Sequence, residues 1–268
     1  PKYSDRTMTA YTFRAQPEDR VLFFSDGVTQ AGLGSPHFPL GWRSSGVIDY
    51  VTAQLRNAPD ISAQELSERI LREAIAHEPG LRPADDITAA CLYFRRPHRM
   101  LLFTGPPVDP ARDAECAKLF HDFKGTKVIC GGTSAEIISR ELGTPLELVL
   151  DTLSRDLPPM SRMEGADLVT EGIFTLSRAA TYLEKGEQSK NDPAGKLVEL
   201  MRRNDIIEIL VGTKINEAHQ DPNLPVDLEL RRNIVKRIAE ALRNRYMKEV
   251  RITFVQMSAQ PVPPGEHA

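Results

Sequence analysis

Lys127-Val128-Ile129-Cys130-Gly131-Gly132-Thr133-Ser134-Ala135 is a short apolar run that breaks at two glycines and resumes as a helix-forming segment. Such a run, bounded by glycine, reads as a buried strand whose end turns into a helix start. The same alternation surrounds it: apolar Leu101–Phe103 precedes helical Ala111–Phe123, and helical Ala135–Leu142 precedes apolar Leu146–Leu150. Strand, helix, strand, helix, strand predicts an α/β unit with a mostly parallel sheet and helices on its faces. Helical stretches around Leu168–Leu183 and Ala194–Arg203, a strand Ile206–Val211, a long helix about Val226–Arg245 and a last strand Val250–Val255 extend that architecture. In the long helix Leu230, Ile234, Ile238 and Leu242 recur at helical spacing and form one apolar stripe. Ser258 to Ala268 holds three prolines and a glycine with little to bury, which predicts a disordered tail over 258–268.

Upstream, the basic stretch Arg95-Arg96-Pro97-His98-Arg99 reads as a connector, so 1–97 and 98–257 are expected to be separate units. The first unit reads as α+β. Thr9–Ala15, with Tyr11 and Phe13 alternating, and Val21–Phe24 predict two adjacent strands. A Gly/Pro-rich loop from Gly32 to Trp42 leads into two helical patterns, one on Val47, Tyr50, Val51 and Leu55 and one on Leu66, Ile70, Leu71 and Ile75. Ser62-x-x-Glu65 opens the second as a capping box, and Ile87 to Phe94 supplies a last strand. So little sheet cannot bury both helices, which suggests a unit lacking its N-terminal half; a chain starting at Pro1 rather than Met agrees.

The composition narrows the function classes. Of 268 residues 41% are hydrophobic and 26% charged, an ordinary globular balance, and no apolar run nears the ~20 residues that cross a bilayer. A net charge of −3, with both signs mixed throughout, offers no footprint for nucleic acid or an anionic membrane, so neither is an expected partner. Three cysteines, Cys91, Cys116 and Cys130, are widely spaced in apolar surroundings, which suits neither a disulfide framework nor a CxxC site and fits a reducing cytoplasm.

Two acidic motifs carry the sharpest chemistry. Ser25-Asp26-Gly27-Val28-Thr29 follows an apolar strand and Asp85-Asp86-Ile87-Thr88 precedes one, so both acids fall at sheet edges. Carboxylates there suit Mg²⁺ or Mn²⁺, hard cations that take oxygen ligands and keep several waters, and Gly27 lets backbone approach closely. Alone, Asp-Gly is a common turn and Asp-Asp a common strand boundary. Together, in the order SDGVTQ, two helices, then DDIT and an apolar strand, residues 7–97 resemble the last third of the PPM-type protein phosphatases, in the stage II sporulation protein E (SpoIIE) branch.

That resemblance implies the C-terminal part of a β-sandwich with flanking helices. It implies a hydrolase that removes phosphate from phosphoserine or phosphothreonine of a regulatory protein in bacterial signalling. Asp26 and Asp85 match aspartates that ligate one ion of a binuclear Mn²⁺ or Mg²⁺ centre, with Gly27 and Asp86 as neighbours of the site. No catalytic group separate from the metal ligands is implied. The family's bridging aspartate with its following glycine has no counterpart upstream of Asp26, so the chain alone is expected to be inactive. The loop Gly32–Trp42 corresponds to the variable flap, although any long surface loop has such a composition.

In the second unit, Gly131, Gly132, Thr133 and Ser134 would present free amides and the positive end of a helix dipole, which can hold a small anionic ligand; equally, Thr133 or Ser134 could simply cap the helix. The polar loop Thr213–Asp221, with Lys214, Asn216 and His219, follows another strand, and the two loops are expected at one edge of the sheet. His219 lacks a second ligand at metal spacing. Met163-Glu164-Gly165 and Thr170-Glu171-Gly172 read as turns, or as loop acids at that same edge. The arrangement resembles the C-terminal extension of some bacterial members of the branch, which carries over no activity. The alternative to a phosphatase fused to a sensing domain is a non-catalytic regulatory or ligand-binding module on a phosphatase-like scaffold.

Overall fold

The computed structural model describes residues 10–149, 158–187, 192–213 and 225–255. The expected tail 258–268 and most of the loop after Thr213 lie outside the described residues. The chain divides into two compact units, Pro1–Arg96 and Pro97–Ala268.

In the first unit β1 (Arg20–Phe24) and β2 (Ala89–Tyr93) pair antiparallel, with Leu22 opposite Cys91 and Phe24 opposite Ala89. Those four side chains pack against Val47 and Val51 of α2 (Arg43–Asn57) and Leu66, Ile70 and Ala74 of α3 (Ala63–His77). The spacing of three and four residues puts each helix's apolar positions on one face. On the other face of the sheet Phe23 and Leu92 are each more than half exposed, at 54% and 53%. The strand expected over Thr9–Ala15 is absent: residues 10–16 have no regular structure, and Tyr11 and Phe13 are exposed. Alternation alone does not hold a strand, because its backbone amides and carbonyls need a neighbouring strand to pair with.

Helix α3 starts where the capping motif places it. Ser62 Oγ accepts a hydrogen bond from the Glu65 amide at 3.1 Å. The return half of the box is not made, since the Glu65 carboxylate instead takes the Arg69 guanidinium one turn on at 2.6 Å.

The second unit is a seven-stranded sheet in the order β5-β6-β7-β4-β3-β8-β9, built from β3 (Arg99–Thr104), β4 (Thr126–Cys130), β5 (Leu146–Val149), β6 (Met160–Met163), β7 (Leu168–Thr170), β8 (Ile206–Gly212) and β9 (Glu249–Val255). Five strands, β7, β4, β3, β8 and β9, run parallel. From β3 the chain builds outward through β4 to β7 and then returns to the other side of β3, the strand order of a doubly wound sheet. Leu101, Phe103, Ile129 and Val169 meet Cys116, Ala117 and Phe120 of α4 (Asp113–Asp122) and Ala135 and Ile138 of α5 (Gly132–Leu142). Met100, Leu102, Val128, Ile207 and Ile209 meet α6 (Ile173–Lys185), α7 (Pro193–Arg203) and α8 (Pro225–Tyr246). Both faces of the central strands are therefore buried, which is why these strands read as continuous apolar runs.

Two expectations are corrected. The run Leu146–Leu150 does not become the third parallel strand: β5 pairs antiparallel with β6 at the sheet edge. The slot beside β4 belongs to β7, fixed by Asp167, whose carboxylate accepts from the Lys127 amide at 2.7 Å while its own amide donates to the Lys127 carbonyl at 2.8 Å. The helix expected from Leu168 begins only at Ile173, because Leu168–Thr170 is strand; three residues are too few to display a period.

The half-made capping box yields a stability prediction. Trp42 is the chain's single tryptophan and is buried in the first unit, so its emission reports that unit's unfolding. In urea titrations Ser62→Ala should lower stability by about 1 kcal/mol, and Glu65→Ala by no more than about 0.5 kcal/mol.

Candidate functional site

Ser25 follows β1 and Thr88 precedes β2, so the pairing of these strands brings both acidic motifs to one end of the small sheet. The Ser25 amide donates to the Thr88 carbonyl at 3.0 Å. Ser25 Oγ donates to the Asp86 carbonyl at 2.9 Å and accepts from the Thr88 amide at 3.0 Å. A single hydroxyl thus ties the two segments together. Gly27 is buried directly beneath: a Cβ there would sit 2.4 Å from the Asp86 carbonyl oxygen, so only glycine fits. Asp26 is the first residue of α1 (Asp26–Thr29), and Asp26, Asp85 and Asp86 are all exposed. Asp85 Oδ1 accepts from the amide of the next residue, Asp86, at 2.8 Å, which sets the direction of the Asp85 carboxyl.

Among the described residues no group of three or more His, Cys, Asp or Glu side chains could hold a metal ion. Asp26 and Asp85 are exposed hard-oxygen donors on two adjoined segments, which fits one side of a Mg²⁺ or Mn²⁺ site and not a complete shell. Beside this end the loop Gly32–Trp42 folds back on α3, with Phe38 and Trp42 rings 4.2 and 4.9 Å from that of His77.

In the second unit Thr170, Cys130, Thr104 and Val211 lie side by side across the sheet. Each of these four strands meets a glycine at or just after its carboxyl end: Gly172, Gly131, Gly105 and Gly212. Their backbones are close. A Cβ on Gly212 would be 2.2 Å from the carbonyl oxygens of Gly105 and Pro106, and one on Gly172 would be 3.4 Å from Gly131 Cα. The Gly131 turn and Gly212–Thr213 therefore share one edge, as expected from parallel strands. Thr213 Oγ1 donates to the Val255 carbonyl at 2.7 Å. Lys214, Asn216 and His219 lie outside the described residues.

Neither Thr133 nor Ser134 caps α5. Its N-cap is Gly131 (φ 139°), without a side-chain cap, and Thr133 is exposed. Thr170-Glu171-Gly172 stands at this same edge, where Gly172 is the equally uncapped N-cap of α6. Met163-Glu164-Gly165 stands at the opposite edge, in the turn leading to β7. A cavity of about 620 Å³ opens there among Lys118, His121, Lys127, Glu141 and Glu164. It faces the carboxyl ends of α4 and α5, whose dipoles disfavour anions.

Cys130, at the end of β4, is fully buried. Burial, slightly offset by the Thr170 hydroxyl 3.2 Å from its sulfur, pushes the thiol up to about 12. Burial likewise raises Cys91 and Cys116.

No family model, no curated protein and no solved structure matches the chain. No helix among the described residues is long and apolar enough to cross a membrane.

The packing of Gly27 is directly testable. Gly27→Ala should destabilise the first unit by about 1–3 kcal/mol as the two acidic segments are forced apart, measured as a lower midpoint of the Trp42 transition in urea.

Proposed function

We propose that the first unit forms one wall of the metal centre of a PPM-type protein serine/threonine phosphatase of the stage II sporulation protein E kind, and that the second unit is a ligand-binding module. The observation that supports the phosphatase reading is the Ser25 clamp. It couples the SDG and DDIT motifs through three hydrogen bonds, 2.9–3.0 Å long, at one sheet end.

In this reading Asp26 and Asp85 ligate one ion, Asp86 shapes the turn through its backbone, and Gly27 lets the two segments close. Bound Mn²⁺ or Mg²⁺ would supply Lewis acidity and a water of lowered pKa for attack on phosphoserine or phosphothreonine of a protein substrate. The chain's own part is to hold two carboxylates at the site and keep them solvated. Both side chains are exposed at the sheet end. In the family this reading draws on, the other ligands lie N-terminal to the position of Asp26, and residues 1–25 contain no Asp-Gly.

The test is Mn²⁺-dependent hydrolysis of a phosphoserine peptide. With an upstream phosphatase half supplied in front of Pro1, Asp26→Asn and Asp85→Asn should each cut kcat/KM by at least about 100-fold with unchanged circular dichroism. Residues 1–268 alone should show negligible turnover. Robust turnover by these residues alone, or full activity in both variants, would contradict the assignment.

A further inference from the structure

Helices α5 and α6 follow the neighbouring strands β4 and β7 but leave the sheet toward opposite layers. Ala135 and Ile138 of α5 pack with Phe103, whereas Leu176, Ala179 and Leu183 of α6 pack with Leu102. Adjacent strands whose connections diverge in this way open a crevice at their carboxyl ends. Here the two N-caps, Gly131 and Gly172, touch, and neither helix has a side-chain cap. The first-turn amides of helices 11 and 13 residues long thus converge, each with the partial positive charge of a helix N-terminus.

A second observation is independent of helix geometry. Ser134 and Thr175 each occupy the third position of these helices, both are 0% exposed, and the hydroxyl of each has no hydrogen-bond partner. Thr104 Oγ1, in the strand between β4 and β8, is likewise buried and unpartnered. A buried hydroxyl left unpaired costs about 1–3 kcal/mol, so several around one strand edge point to a missing acceptor. Ser134 Oγ lies 3.2 Å from the position a Cβ on Gly131 would take, directly over the N-cap.

Two further groups narrow the ligand. Glu171 Oε2 is buried without a hydrogen-bond partner between Thr170 and Gly172, so the ligand must bring a donor of its own. Phe174, in the first turn of α6, is 68% exposed and offers an open aromatic face. Six amides and two hydroxyls exceed what the two oxygens of a carboxylate can use, and suit the three terminal oxygens of a phosphate.

We propose that the converging N-termini of α5 and α6 bind the phosphate of a sugar phosphate or nucleoside monophosphate. The amides of 132–134 and 173–175 and the hydroxyls of Ser134 and Thr175 hold the phosphate. Glu171 accepts from a sugar hydroxyl, and Phe174 covers the ring. This rests on reading the second unit as a ligand-binding module and not on the phosphatase reading of the first.

The experiment is calorimetric titration of residues 1–268, at ionic strength fixed with KCl, with inorganic phosphate, ribose 5-phosphate, AMP, ribose and L-serine. Inorganic phosphate should bind weakly, ribose 5-phosphate and AMP at least 10-fold tighter, and ribose and L-serine not at all. AMP tighter than ribose 5-phosphate assigns a base to Phe174, and equal affinities assign the sugar alone. Ser134→Ala with Thr175→Val should weaken every phosphate ligand about 10-fold, and Glu171→Gln should weaken the two esters but not inorganic phosphate. Should the double variant fail to fold, Gly132→Asp serves instead, since a side chain there meets nothing within 4 Å. An acid in the first helical turn is tolerated by the dipole while repelling an anion. Phosphate-ester binding unchanged in Gly132→Asp overturns the site. Binding of L-serine without any phosphate ligand overturns the chemistry but keeps a binding module, and silence from all five compounds overturns both.

Discussion

Strand β3 is the constraint on which the second unit depends. Leu102 and Phe103, both fully buried, face opposite helical layers, and each contributes roughly 2–3 kcal/mol of apolar burial. With β4 and β8 paired to it in parallel on either side, the chain must return after each strand through a helical crossover. All carboxyl ends then fall at one edge, and the loops crowd there. The 2.2 Å approach of the Gly105 and Pro106 carbonyl oxygens to a hypothetical Gly212 Cβ shows how little room remains. An edge built this way is lined by backbone, which is the environment in which unpaired amides and buried hydroxyls can converge.

The first unit rests on a smaller device. Two strands and two helices bury one sheet face and leave Phe23 and Leu92 on the other largely in water. Within that frame the acidic segments are positioned by a serine hydroxyl and a glycine rather than by the carboxylates themselves. The carboxylates stay exposed.

Much of this was legible from residue order. The runs Lys127–Cys130 and Ile206–Val211 are strands whose central position buries both faces, whereas Val250–Val255 is an edge strand legible from its alternation with exposed Arg251 and Thr253. The stripe Ile234, Ile238 and Leu242 is buried as its period requires, while Leu230 at its start is 41% exposed. SDG and DDIT were legible as strand-end motifs, whereas the pairing of β1 with β2 that joins them was not. Strands β6 and β7 were illegible because four and three residues carry no period, and β5 was misread because the place beside β4 goes to β7, anchored to Lys127 by Asp167 far along the chain. The Ser134 and Thr175 hydroxyls were also missed as a pair. Gly131-x-x-Ser134 and Gly172-x-x-Thr175 share a spacing that could have signalled them, but a hydroxyl in a first helical turn reads as a cap until the structure shows it is not one.

The central claim about the first unit is that the Ser25-clamped segments hold a divalent cation. Nitrogen–proton correlation spectra of residues 1–268, recorded during titration with Mn²⁺, test it most directly, because a paramagnetic ion broadens the amide signals nearest to it. The account predicts selective loss of the Gly27, Asp86 and Ile87 signals, abolished by Asp26→Asn. Broadening centred elsewhere in the chain, or the same loss in Asp26→Asn, would contradict it.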